Sequence, residues 1–144
     1  VLAVLGVAAT AGAGLFAYEQ NKKGPIDWVA YTPARFEEQV KKGNVVVMDF
    51  TAEWCLNCKA LEAGVLHRPE VVKLLTGPGV TPMKVDLSGD NPDGQARLKS
   101  LNWVGIPLLA ISGPGVSEPL KFDTYTAETV RAAIEKARGG KTGT

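Results

Sequence analysis

The sequence is poor in the residues that announce most chemistries. Among 144 residues there are two cysteines and one histidine. Two cysteines three positions apart cannot staple distant parts of a chain, so a disulfide-framework fold is excluded. A structural zinc site needs four ligands; Cys55, Cys58 and His67 supply three of those residue types at most. Charge is balanced, with 16 basic and 15 acidic side chains, a formal +1. No basic run stands out, so nucleic-acid binding has no electrostatic support. No internal repeat and no low-complexity stretch is present.

Charge is missing from one segment altogether. Val1 to Tyr18 contains none, and the first charged residues are Glu19, Lys22 and Lys23. The run is slightly short of the ~20 residues that cross a bilayer. The chain has no initiator Met, so the run reads as the end of a longer transmembrane helix; Gly6, Gly12 and Gly14 suit a membrane helix better than a soluble one. A signal peptide, which would carry a basic n-region, and a buried soluble helix are the alternatives. The sequence divides into 1–18, the end of a transmembrane helix; 19–26, a linker; 27–138, one domain; and 139–144, a disordered tail.

What is present in the domain alternates strand and helix signals. Thr32-Pro33 has the chemistry of an N-cap with proline at the first helical position, and Phe36 and Val40 share a face, so 33–42 is expected to be an amphipathic helix ending at Gly43. Asn44 to Phe50 is a β-branched apolar run of the kind buried on both faces. A helix is expected from about Cys55 through Glu62, interrupted by Pro69 and resumed from Glu70 to Thr76. Val80 to Leu87 reads as a strand. Asn91-Pro92-Asp93 opens a helix whose Ala96, Leu98 and Leu101 give apolar contacts. Pro107 to Ile111 and Leu120 to Phe122 read as a hairpin around Gly113-Pro114-Gly115, and Thr126 caps a last helix over 127–138. Strand–helix–strand order implies parallel pairing, with the late hairpin adding an antiparallel edge.

The two cysteines lie where a helix begins directly after the buried strand. A C-x-x-C there holds both sulfurs within disulfide reach. It places the first sulfur at unpaired helix N–H groups, which favour thiolate, and lets the second resolve a mixed disulfide formed on the first. Cys55 is thus expected to be the exposed nucleophile and Cys58 the buried resolving thiol. Asp49, six before Cys55, is expected to be buried with a raised pKa, able to relay a proton to Cys58. A solvated strand-end aspartate is the plain alternative.

The segment Asp49-Phe50-Thr51-Ala52-Glu53-Trp54-Cys55-Leu56-Asn57-Cys58-Lys59 resembles the active-site segment of the thioredoxin superfamily, and Ile106-Pro107 resembles its cis-proline signature. The resemblance covers about 27–138. It implies a thioredoxin-like α/β fold: a central mixed β-sheet flanked by helices, preceded here by a partial transmembrane helix. Cys58-Lys59-Ala60-Leu61-Glu62 with Pro69-Glu70-Val71 is similar to the C-terminal domain of bacterial transmembrane thiol:disulfide interchange proteins. That likeness implies a protein-disulfide reductase at the bacterial inner membrane, on the periplasmic side. It would take electrons from a membrane section of the same or a partner protein and pass them to periplasmic disulfides, including isomerases and cytochrome c maturation factors. No cofactor beyond the Cys55–Cys58 pair and no metal is implied.

The family carries an acidic residue at Glu62, one turn after Cys58; Asp49 and Glu62 together are expected to raise the thiol pKa values, a surface glutamate being the alternative. Trp54, Ile106 and Pro107 are expected to form the partner-docking surface. Trp28 and Trp103 are expected to pack in the core or beneath loops. Lys59, the Lys41-Lys42 pair and the Glu135-Lys136 pair are read as solvated, and His67 is assigned no role. A single-span tethered thioredoxin serving cytochrome c maturation, or a redox-inert module keeping only the fold, are the competing functions. The Leu56-Asn57 dipeptide does not by itself fix the direction of electron flow.

Overall fold

The computed structural model describes residues 24–139. The expected transmembrane end over 1–18, most of the expected linker and residues 140–144 of the expected tail lie outside the described residues. Among the described residues no helix is long and apolar enough to cross a membrane.

The organising element is strand β2, Val45–Thr51, in which all seven residues are buried. Such a strand must be paired on both edges and covered on both faces, and it is. On one edge it pairs in parallel with β3, Val80–Asp86; on the other it pairs antiparallel with β4, Leu108–Ser112. Short edge strands complete a five-stranded mixed sheet. β1, Val29–Ala30, runs parallel to β3, and β5, Leu120–Phe122, runs antiparallel to β4, giving the order β1-β3-β2-β4-β5. The two-residue β1 has no counterpart in the sequence reading. It pairs only Met83 and Lys84 of β3, leaving the rest of that edge open, which is where the donor-less Pro82 is tolerated.

Alternation along β2 assigns its side chains to two cores. Val46, Met48 and Phe50 pack with Met83, Val85, Leu98 and Leu108. Val45 and Val47 pack on the opposite face with Leu66, Leu75, Leu109, Ile111 and Ile134. The first face is covered by Phe36 of α1, Pro33–Lys41, and by α4, Pro92–Ser100. The second is covered by α2, Leu56–Leu61, by α3, Pro69–Leu75, and by α5, Ala127–Arg138. Thr32, Asn91 and Thr126 cap α1, α4 and α5 through side-chain oxygens that accept from the third residue on.

Three details depart from the sequence reading. α1 forms as expected, but Val40 is 49% exposed, because the helix meets the sheet through Phe36 and through Gln39, whose Oε1 accepts from Thr81 of β3. Ala96 faces solvent while Leu98 and Leu101 carry the contacts of α4. Ile26, placed in the linker, is 1% exposed and belongs to the core. Trp28 and Trp103 pack partly buried against the two cores.

The β4–β5 turn docks against the end of α5. A Cβ on Gly115 would stand 2.3 Å from the Lys136 carbonyl oxygen and the Gly139 nitrogen, all rigid backbone. Gly115→Ala is therefore expected to destabilise the fold by more than about 2 kcal/mol in urea unfolding. Gly89→Ala, with nothing within 4 Å, serves as the control and is expected to shift stability by less than about 0.5 kcal/mol.

Candidate functional site: a disulfide above a buried carboxylate

β2 ends at Thr51, and four residues later the chain enters α2. Cys55 is the N-cap of that helix: its Sγ accepts the N–H of Cys58 at 3.2 Å. The sulfur thus occupies the place where a serine or aspartate oxygen usually sits, among unpaired helix donors that stabilise negative charge. Cys55 and Cys58 are joined as a disulfide with Cα atoms 5.2 Å apart. Both are nearly inaccessible, Cys55 at 6% and Cys58 at 4%. The expected contrast between an exposed nucleophile and a buried partner is thus absent in the oxidised pair. Ala52 and Ile106 pack against both sulfur-bearing residues and cover them.

The Ile106–Pro107 peptide is cis, and Ile106 joins the small cluster around the disulfide. Beside it runs a groove of about 540 Å³ lined by Asn57, Ala60, Trp103, Val104, Ile106 and Pro107 among others. Its apolar surroundings are unusually open to solvent: Trp54 is 68% exposed, Leu56 82% and Val104 96%. Lys59 lies on the surface, 3.4 Å from Glu53.

Glu62, the C-cap of α2 whose N–H donates to the Cys58 carbonyl, joins a cluster of ionisable groups with Asp49, Lys84 and Tyr125. Asp49 is 4% exposed and stands directly opposite Lys84 in the β2–β3 register. Burial drives the Asp49 carboxyl up to about 7 from an ordinary 3.8; the Lys84 charge opposes that rise and the Glu62 charge adds to it. The solvated strand-end alternative is therefore wrong. Glu62 is buried as well, at 8%, which removes the surface-glutamate alternative. Its Oε1 is 3.8 Å from Lys84 Nζ, and that ammonium also lies 5.1 Å from the centre of the Trp28 ring. Burial, with the charges of Asp49 and Glu62, pushes the Tyr125 hydroxyl above the tyrosine range.

Glu62 does not continue the α-helix. Glu62–Leu66 forms a π-helical turn, closed by the His67 N–H donating to the Glu62 carbonyl at 2.9 Å. This turn brings His67, passed over in the sequence reading, to 3.5 Å from Glu62. In an α-helix, residues five apart are turned about 140° from one another, so α-helical spacing could not find the pair. Lys84 and Tyr125 were missed for a different reason: sheet register and tertiary packing, not local pattern, bring them to the site. Among the described residues no group of three or more His, Cys, Asp or Glu is arranged to hold a metal ion.

A disulfide capping a helix beside a cis-proline, with a buried carboxyl on the strand that leads into it, defines a thiol–disulfide oxidoreductase site on a mixed sheet. The family model described as thioredoxin-like matches residues 27–114, and the chain belongs to that family. It is 32% identical over 99 residues to the thiol:disulfide interchange protein DsbD 1 of Pseudomonas aeruginosa, a match covering 65% of this chain and 16% of that protein. It is 34% identical over 77 residues to the DsbD of Pseudomonas fluorescens, covering 54% and 13%. The matches thus span roughly a sixth or less of these relatives. Among solved structures it resembles the oxidised C-terminal domain of Neisseria meningitidis DsbD. That match is 26% identical with a TM-score of 0.55, over 76% of this chain and 99% of that one. A Thermus thermophilus thioredoxin, 21% identical with a TM-score of 0.57 over 83% and 95%, shares the fold.

The raised Asp49 value has a stability consequence. Between about pH 4 and 7 the folded state keeps a proton that the unfolded chain gives up, so stability falls as pH rises, by about 1.4 kcal/mol per unit. Asp49→Asn has no such loss. Its stability relative to the oxidised wild type is expected to be greater at about pH 8 than at about pH 5 by about 2 kcal/mol in urea titrations.

Proposed function

We propose that the chain is the redox-active part of a membrane-tethered, extracytoplasmic protein-disulfide reductase. In the reduced form the Cys55 thiolate attacks a partner disulfide. One partner sulfur leaves as thiolate, and Cys55 is held in a mixed disulfide. Cys58 then loses its proton to Asp49 and attacks Cys55 Sγ. The second partner thiolate departs, and the Cys55–Cys58 disulfide forms. Two electrons pass to the partner; one of its two thiols takes the proton that Cys58 gave to Asp49, and the other takes from solvent the proton that Cys55 lost to solvent on becoming thiolate. Reduction by a dithiol in a membrane section, of the same or a partner protein, resets the cycle.

The observation that carries this reading is the placement of Asp49. A carboxyl raised to about 7 and buried in the strand that leads into the cysteine pair is matched to taking and returning a proton at neutral pH. Glu62 adds negative charge beside it and holds back thiolate formation until a partner is engaged. Trp54, Ile106 and Pro107 form the docking surface, and an extended partner segment lies in the groove beside them. Likeness to the DsbD proteins supports the reductant direction and a place at the bacterial inner membrane facing the periplasm.

Insulin reduction driven by dithiothreitol tests the chemistry. Wild type is expected to be active and Cys55→Ala to fall to background. Cys58→Ser is expected to accumulate a mixed disulfide visible on non-reducing gels. Asp49→Asn is expected to slow turnover at neutral pH by about 10²-fold with little change in KM. Activity that survives in Cys55→Ala contradicts the assignment.

A further inference from the structure

His67 takes no part in the exchange steps above, yet it is built into the site. Its Nε2 is 3.5 Å from Glu62 Oε1. His67 Nε2 and Glu62 Oε2 are both buried atoms that hydrogen-bond to no protein group. The chain that enters the domain also lies against the imidazole. A Cβ at Gly24 would stand 2.7 Å from His67 Cε1 and 2.9 Å from Nε2, and Gly24 has φ +106°, a conformation that favours glycine. The Nε2 end of the ring thus meets both the Gly24 backbone and the Glu62 carboxylate, with the His67 side chain 26% exposed against 10% for Glu62.

The other charged and titratable groups around this pair come from every neighbouring element. Lys84 on β3 reaches Glu62 Oε1, and Asp49 on β2 and Tyr125 ahead of α5 lie within its field. Lys59 on α2 is turned to Glu53, and next to His67 Arg68 pairs with Glu70 at the start of α3. An imidazole gains or loses its charge between about pH 5 and 8.

We propose that His67 is a positioning residue of the redox site: acting through Glu62, whose N–H donates to the Cys58 carbonyl one turn along α2, its protonation sets the charge of this cluster and hence how readily Cys55 becomes thiolate. The inference deepens the oxidoreductase reading and rests on it. When His67 is protonated, its charge offsets that of Glu62, the cluster is less negative and the thiolate is favoured. When His67 is neutral, the Glu62 charge is offset by Lys84 alone of these two cations, and thiolate formation is held back. The site is thereby buffered, losing thiolate more slowly on acidification than a lone thiol would.

The test is the rate of Cys55 alkylation in the reduced full chain, compared among wild type, His67→Gln and His67→Lys. The wild-type to His67→Gln ratio is expected to be about threefold at about pH 5.5 and to fall to about one at about pH 8.5. His67→Lys, with a fixed charge, is expected to stay above His67→Gln at both. In a Glu62→Gln background the low-pH ratio is expected to shrink toward one. Gly24→Ala, whose Cβ displaces the ring from Glu62, is expected to reproduce the His67→Gln profile, and unfolding in urea of each variant reports whether its fold is kept. A wild-type to His67→Gln ratio that does not change with pH, or one that persists undiminished in Glu62→Gln, overturns the proposal. Insulin reduction on the same samples separates the two readings: an inactive wild type sinks the reductase assignment, whereas active protein with a pH-independent ratio sinks only the role of His67.

Discussion

A carboxylate in the middle of the sheet's central strand is the constraint on which this structure turns. Every neighbour of Asp49 along β2 is buried, so its charge cannot be left to solvent. Removing an ion from water costs several kcal/mol unless something offsets it. Here the offset is incomplete: Lys84 comes from the parallel neighbour strand, but Glu62 adds charge of the same sign, and the carboxyl titrates near neutrality. A core built only for stability would carry a valine at this position. Asp49 instead keeps a titratable carboxyl buried in the strand that leads into the cysteine pair.

The rest of the fold serves that placement. The β2–β3 register sets Lys84 opposite Asp49, and the β2–β4 register sets Leu109 opposite it on the other side, so the carboxylate has a cation on one flank and an apolar wall on the other. The turn from β2 into α2 makes Cys55 a helix cap. The loop before β4 brings Ile106 onto the same sulfurs. Two segments about fifty residues apart thus meet at the disulfide. The π-turn after α2 swings Glu62 and His67 into the same cluster, a common use of such turns at functional sites.

Much of this was legible in the sequence because it is written in short-range terms. The run Val45 to Phe50 could only be a doubly covered strand, and Cys55 follows it at the distance a strand-to-helix turn requires. The helix over 127–138 is marked at its start by Thr126; Gly139, read as the first residue of the tail, is instead its left-handed C-cap with φ +114°. What escaped was non-local or non-standard. Two residues, Val29 and Ala30, carry no periodicity, and β1 exists because β3 offers them an edge. Val40 matches the apolar spacing of a packed helix face, yet no element covers it. His67 was invisible because a pattern read at 3.6 residues per turn skips a residue brought round by a π-turn.

The central claim is that this buried acid and its neighbours serve a dithiol that gives electrons away. The most direct measurement is the reduction potential of the Cys55–Cys58 pair, titrated against dithiothreitol and glutathione buffers. A value at or below that of thioredoxin, about −270 mV, is the result expected of a reductant. A value near about −120 mV would define a strong oxidant and contradict the account.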